Sequence, residues 1–265
     1  MAGEDGDRHK WRRYRGLRCV AFYGDLLQAA LEQCRDLEAI LMNQEPVPGV
    51  DERRSVVISS SAPRAIEWAA AEIARGGVVA IPTDTVYGLA ASLAHAEAID
   101  RIYVIKGRSL QQPLAVLVSS VAALDQVASV VDNRVRMLLN EFWPGPLTVV
   151  IPSDRNLPQA VLGPGRTVGV RIPNHPLAID VIERAGGAVA CTSANRTSEA
   201  PASTAGDVEA MIGAELDLIL DGGTAPGGRA STVVAIRGEN LDVLRDGPVE
   251  ESELRAAWEN YPWLV

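Results

Sequence analysis

From Ser55 onward the chain alternates between short runs that are apolar throughout and longer stretches whose apolar residues recur every three or four positions. Helices repeat every 3.6 residues and strands every two, so this alternation predicts strands and helices in succession. SVVIS reads as a strand. SAPRAIEWAAAEIARGG reads as a helix with Ser61 as N-cap, Pro63 in the first turn and Gly76-Gly77 as the stop. VVAIPT is the next strand, HAEAIDRIYVIKGR a helix, PLAVLVS a strand, VAALDQVASVV and NRVRMLLNEFW helices, and GPLTVVIP and TVGVRIP strands. Helix HPLAIDVIERAG, strand AVACTS, a short helix near AGDVEAMIG, strands LDLILDG, STVVAIR and LDVLRDG, and helix ESELRAAWENY complete the series. The last strands follow one another too closely for helical crossovers, so the sheet is expected to be mixed. The expectation is one α/β domain over 55–250, a twisted mixed open sheet with flanking helices, and a helical tail over 251–265.

Residues 1–54 read differently. A basic, polar start is followed by GDLLQAALEQCRDLEAILM, whose apolar residues Leu27, Ala30, Leu31, Cys34, Leu37, Ile40 and Leu41 fall at helical spacing. NQEPVPGVDERR then breaks any regular element. This predicts an appended amphipathic helix on a linker, packing on the domain or on another copy, with nucleic-acid contact by the basic start as the alternative.

The chain has 265 residues, 47% of them hydrophobic, enough to bury a substantial core. No run of about 18 apolar residues occurs and MAGEDGDRHK has no apolar stretch behind a basic start, so neither a membrane span nor a secretory signal is expected. A cytoplasmic protein is the default. Cys19, Cys34 and Cys191, like His9, His95 and His175, are scattered without ligand spacing, which argues against a protein-held metal or a disulfide framework. The net charge of −9 argues against a protein whose main business is coating nucleic acid.

Candidate chemistry clusters at strand ends, where open α/β sheets present ligand-binding groups. PTDTVYGLA (82–90) joins hydroxyls to a glycine, TVGVRIPNHP puts Thr167 and Arg171 on one strand face, CTSAN (191–195) ends an apolar strand in small polar groups, and DGGTAPGGRASTVV is glycine-rich. The last is no Walker loop, since GK[ST] is absent and a strand follows. Taken alone it fits a hairpin or crossover loop, and TSAN alone fits a turn cap. VIKGRSLQQPL carries more. Only two of the 25 basic residues are lysine, Lys10 and Lys106. At a helix C-terminus an arginine would satisfy the macrodipole equally well. Lysine there suggests a compact ammonium aimed at one oxygen beside the Arg108 guanidinium, and hence a phosphate or adenylate site.

PTDTVYGLA, KGRSLQQPL, FWPGPLTVVI, VGVRIPNHP, TSAN, STVV and LRDGPV, in this order, resemble the YrdC/TsaC-type threonylcarbamoyl-AMP synthases over about 55–250. The resemblance implies a YrdC-like sheet around a large, locally positive cavity. It implies conversion of L-threonine, bicarbonate and ATP into threonylcarbamoyl-AMP and pyrophosphate, with Mg²⁺ carried by the ATP phosphates. The product would pass to a tRNA threonylcarbamoyl-transferase machinery that makes N6-threonylcarbamoyladenosine, with at most weak tRNA contact by this chain. Carried over by position, Thr85, Arg171 and Ser231 would hold threonine, and Lys106 and Arg108 would face the triphosphate. Thr167, Cys191, Ser193, Asn195 and Arg245 would line the nucleotide side with Gln112 near it, Lys106, Arg108, Ser193 and Asn195 carrying the catalytic role. Ser109, Gln112 and Arg196 depart from the family's usual pattern. The competing readings are a tRNA or double-stranded RNA-binding module and a carbamoyl-adenylate-forming transferase domain.

Overall fold

The computed structural model describes residues 55–128 and 131–260. The helix expected within 1–54 and the last residues of the tail lie outside these ranges. Ten strands form one sheet: β1 (Val56–Ser59), β2 (Val79–Ile81), β3 (Gly88–Ser92), β4 (Ala115–Val118), β5 (Leu147–Pro152), β6 (Thr167–Arg171), β7 (Ala188–Ser193), β8 (Leu218–Asp221), β9 (Thr232–Arg237) and β10 (Asn240–Arg245). Their spatial order is β1-β8-β2-β3-β7-β4-β6-β5-β9-β10. Pairs β1/β8, β2/β8, β4/β6 and β5/β9 are parallel and the other neighbours antiparallel, so the sheet is mixed as expected.

Six α-helices flank it: α1 (Ala65–Ala74), α2 (Ala96–Lys106), α3 (Asn133–Phe142), α4 (Pro176–Arg184), α5 (Ala205–Ile212) and α6 (Glu251–Asn260). Helix α1 and helix α4 bury Ala69, Ile73, Val181 and Ile182 against Val79, Ile81, Val189 and Leu220 on one face of the sheet. A larger core on the other face gathers α2, α3, α5 and α6 against Val116, Val149, Val170 and Val234. Helix α5 carries a complete capping box between Thr204 and Asp207, and α6 is held by Arg134 of α3, stacked on Trp258 at 4.1 Å.

Two local expectations are corrected and one element is added. Ser61 is not the cap of α1; its hydroxyl bonds Ser59, and the helix opens behind Arg64, whose φ of 63° is left-handed. Pro63 disfavours helical backbone at the residue before it, which delays the start. VAALDQVASVV yields a 3₁₀ turn, Ala122–Gln126, in place of an α-helix, in keeping with the β-branched valines that crowd its second half. GLAAS, to which the sequence pattern assigned no element, is strand β3.

Candidate active site

Alternate residues of a strand face the same side. On β4, β6, β5 and β9 one set is Val116, Val168, Val170, Val149, Ile151 and Val234, packed into the larger core. The other set is Ala115 and Leu117, Thr167, Gly169 and Arg171, Thr148 and Val150, and Val233 and Ala235. Helices α1 and α4 cover this side further along the sheet, over Leu117 and Cys191. Beyond them the small side chains leave a cavity of about 660 Å³. Thr83 and Thr85 after β2, the end of β7, loop 108–115 and Arg245 on β10 complete its wall.

Arg171 anchors one end, 5% exposed. Its Nε donates to Gly145 O at 2.9 Å, its Nη1 to Thr85 Oγ1 at 3.1 Å, and its Nη2 to the Asp84 carboxylate. Burial pushes this guanidinium below its ordinary pKa, and Asp84 offsets that. Asp84 stands behind Arg171 and is not part of the cavity wall. The glycine-rich loop is tied here too. Gly227 and Gly228 both donate to Thr85 O, at 3.2 and 3.1 Å. A Cβ on Gly227 would lie 2.8 Å from that oxygen, so only glycine allows the approach. Tyr87 donates to Gly223 O at 2.7 Å, securing the loop's other half. The loop therefore runs from β8, near one edge of the sheet, to β9, near the other, across the threonine cluster.

Arg108 and Arg245 occupy the wall elsewhere without a carboxylate partner among the described residues. Arg108 donates to the carbonyls of Gln112 and Pro113, at 3.0 and 3.1 Å. Arg245 donates to Ser231 O at 2.8 and 3.1 Å and to Ser231 Oγ at 3.1 Å. Burial, then repulsion from Arg171 and Arg108, holds Arg245 below the usual arginine value, so the three cations sense one another across the cavity.

Nearly all residues singled out from the sequence line this space: Thr85, Arg108, Gln112, Thr167, Arg171, Cys191, Ser193, Ser231 and Arg245. Lys106 and Asn195 do not. Lys106 is the last residue of α2 and passes beneath the end of β7. Its ammonium lies 2.6 Å from Ser193 O, 2.6 Å from Asn195 O and 3.2 Å from Asn195 Oδ1, which engages its three protons within the turn. Burial and the neighbouring Arg108 push its pKa down to about 8, which leaves it charged at neutral pH. Asn195 Nδ2 in turn donates to Arg196 O and Glu199 O. Lys106 thus holds the Ser193–Asn195 turn that presents Ser193 to the cavity. Arg196, a departure from the family pattern, is paired with Glu215 at 2.6 Å and stays out of the wall.

The Cys191 thiol is pushed up to about 12 by burial, so it stays protonated and is a poor nucleophile. Among the described residues no cluster of three or more His, Cys, Asp or Glu could hold a metal ion, and no helix is long and apolar enough to cross a membrane. Sequence reasoning missed Thr148, a lone hydroxyl at an otherwise apolar strand, and Asp84, whose partner lies 87 positions away.

The family model described as Telomere recombination, Sua5_yciO_yrdC, matches residues 71–247. A threonylcarbamoyl-AMP synthase of Pyrococcus abyssi is 37% identical over 161 residues, 59% of this chain and 47% of the relative. The mouse protein of the same name is 39% identical over 160 residues, 60% of this chain and 56% of the relative. The chain thus spans about half the length of these relatives. The crystal structure of P. abyssi Sua5 complexed with L-threonine superimposes with a TM-score of 0.72 at 32% identity, covering 76% of this chain and 60% of that one. E. coli YciO gives 0.67 at 25% identity, covering 74% and 97%. With the family model spanning most of the described sheet, and the same fold in both solved structures, the chain belongs to the Sua5/YciO/YrdC family.

Proposed function

We propose that the chain is an L-threonylcarbamoyladenylate synthase, making threonylcarbamoyl-AMP and pyrophosphate from L-threonine, bicarbonate and ATP. One observation carries this reading: a single cavity holds a buried guanidinium balanced by Asp84 together with Arg108 and Arg245, which have no carboxylate partner among the described residues. Unbalanced cations in a partly closed space favour a polyanion. The relatives' shared name and the threonine complex of P. abyssi Sua5 support L-threonine as the small substrate.

In this reading Arg171 and Thr85 hold the threonine carboxylate and Ser231 contacts the same molecule. The amine takes up carbon dioxide derived from bicarbonate, and a carbamate oxygen attacks the α-phosphorus while pyrophosphate leaves. Charge grows on the phosphoryl oxygens, and preplaced donors stabilise it without reorganising. Arg108, Arg245 and the polar end of β7 are those donors, with Thr167, Gln112 and Cys191 shaping the nucleotide side. Lys106 and Asn195 act on this set from beneath, by fixing Ser193. Cys191, kept protonated by burial, is a poor nucleophile, and direct attack by the carbamate needs no covalent enzyme intermediate. Among the described residues the wall offers no carboxylate, so Mg²⁺ would arrive with ATP and would supply further charge neutralisation on its phosphates, beside Arg108 and Arg245. The product is labile and calls for a threonylcarbamoyl-transferring partner acting on tRNA, in the cytoplasm, and region 55–250 is the catalytic domain.

Purified protein is expected to release pyrophosphate only when L-threonine, bicarbonate and ATP are all present. Release that is indifferent to threonine would remove the reading.

A further inference from the structure

We infer that Thr148, which the resemblance leaves without a role, is a specificity-determining residue that turns the Ser231 hydroxyl toward the substrate and, paired with it, reads the threonine side-chain hydroxyl. The inference rests on the proposed synthase reading. Thr148 on β5 and Ser231 before β9 are 4% and 5% exposed, both line the cavity, and their hydroxyl oxygens lie 2.8 Å apart. Ser231 Oγ also lies 3.1 Å from Arg245 Nη2. A guanidinium has donors and no acceptor, so Ser231 must accept from it.

The proton count follows. When Thr148 donates to Ser231, both lone pairs of Ser231 are taken and its own proton is free for the cavity, while the lone pairs of Thr148 remain open. The pair then offers one donor and one acceptor side by side. A ligand hydroxyl can accept from Ser231 and donate to Thr148. A carboxylate can only accept, and a methyl group does neither.

Position supports the assignment. The antiparallel register pairs Val149 with Val170, so one step further Thr148 stands opposite Arg171 on the same face. Such cross-strand neighbours have Cβ atoms about 5 Å apart. An α-amino acid whose carboxylate rests on Arg171 therefore carries its β-substituents within reach of the pair. The Thr148 methyl is itself fixed by close packing over Gly169, where an added Cβ would come within 3.3 Å of it.

The test compares Thr148→Val, nearly isosteric but without the hydroxyl, with Thr148→Ser, which restores it. In the valine variant the KM for L-threonine should rise roughly tenfold, the effect of one lost hydrogen bond and its orientation. The KM for ATP should stay put, the preference for L-threonine over L-valine should shrink by a similar factor, and the serine variant should recover most of the loss. Unchanged threonine affinity in a folded Thr148→Val protein overturns the inference, as does a parallel rise in both KM values or a serine variant as weak as the valine one. Titration of the wild type with L-threonine separates the two levels: if it binds ATP but no L-threonine, the synthase reading falls and this inference with it.

Discussion

At one end of the cavity Arg171 is buried, paired with Asp84 and bonded to Gly145 and Thr85; Arg108, toward the Thr167 end of β6, and Arg245, beside Ser231, lie partly open, and among the described residues their hydrogen-bond partners are carbonyls and one serine hydroxyl. The cost of burying a charge is offset inside the protein in the first case and left for a ligand to offset in the second. A balanced, rigid guanidinium selects a small molecule by geometry. Unbalanced ones near solvent attract an anion and respond to its charge. Both conditions within one cavity suit a reaction that joins an amino acid to a nucleotide.

The largest way to break this contrast is at Arg171. Arg171→Ala leaves Asp84 buried without its partner and should cost about 3–5 kcal/mol of stability in urea denaturation, besides abolishing threonine binding. Adding Asp84→Asn should recover much of the stability and none of the binding. A single Arg171→Ala variant as stable as the wild type would show that the pair is solvated. At the other end, Arg108→Ala should weaken ATP binding by roughly 10- to 100-fold in calorimetry, while threonine binding and stability stay near the wild-type values. Loss of threonine binding on that change would merge the two ends into one.

A finer distinction concerns Lys106, whose proton leaves near pH 8. ATP affinity should fall a few-fold as pH rises through about 8, because a neutral amine grips the Ser193–Asn195 turn less firmly. Stability should move the other way. Folding lowers this pKa from 10.5, so the unfolded chain holds the proton more tightly and stability rises between about 8 and 10.5. Urea denaturation at both ends of that window, on the wild type and on Lys106→Met, checks the sign, since the methionine variant should lack the rise. The smallest effect is screening. Added salt up to about 1 M should weaken ATP binding at the open end and leave threonine binding nearly unchanged.

Legibility along the chain follows the range of the forces involved. The strands and helices from Val79 to Asn260 were mostly readable because their apolar periods are local, as was the Gly107 stop of α2, whose φ is 58°. Strand β3 was hidden because GLAAS lacks the β-branched residues that mark a strand and earns its place by pairing with β2 and β7. Ser61 looked like a cap until Pro63 displaced the helix start to Ala65. In the site, Arg108, Arg171 and Arg245 were found through their motifs, yet their different electrostatic conditions were not, since Asp84 meets Arg171 only across the sheet.

Lys106 shows the division most clearly. Its rarity in an arginine-rich chain, and its seat at the end of a helix, marked it as a residue chosen for a compact charge. Where that charge points depends on β7 arriving from 87 positions away with Ser193 O in its path. A linear pattern specifies residue type and local periodicity because those act over one or two turns of chain. Distances between side chains, and with them burial, charge balance and the direction of each proton, arise only when the sheet brings remote strands side by side.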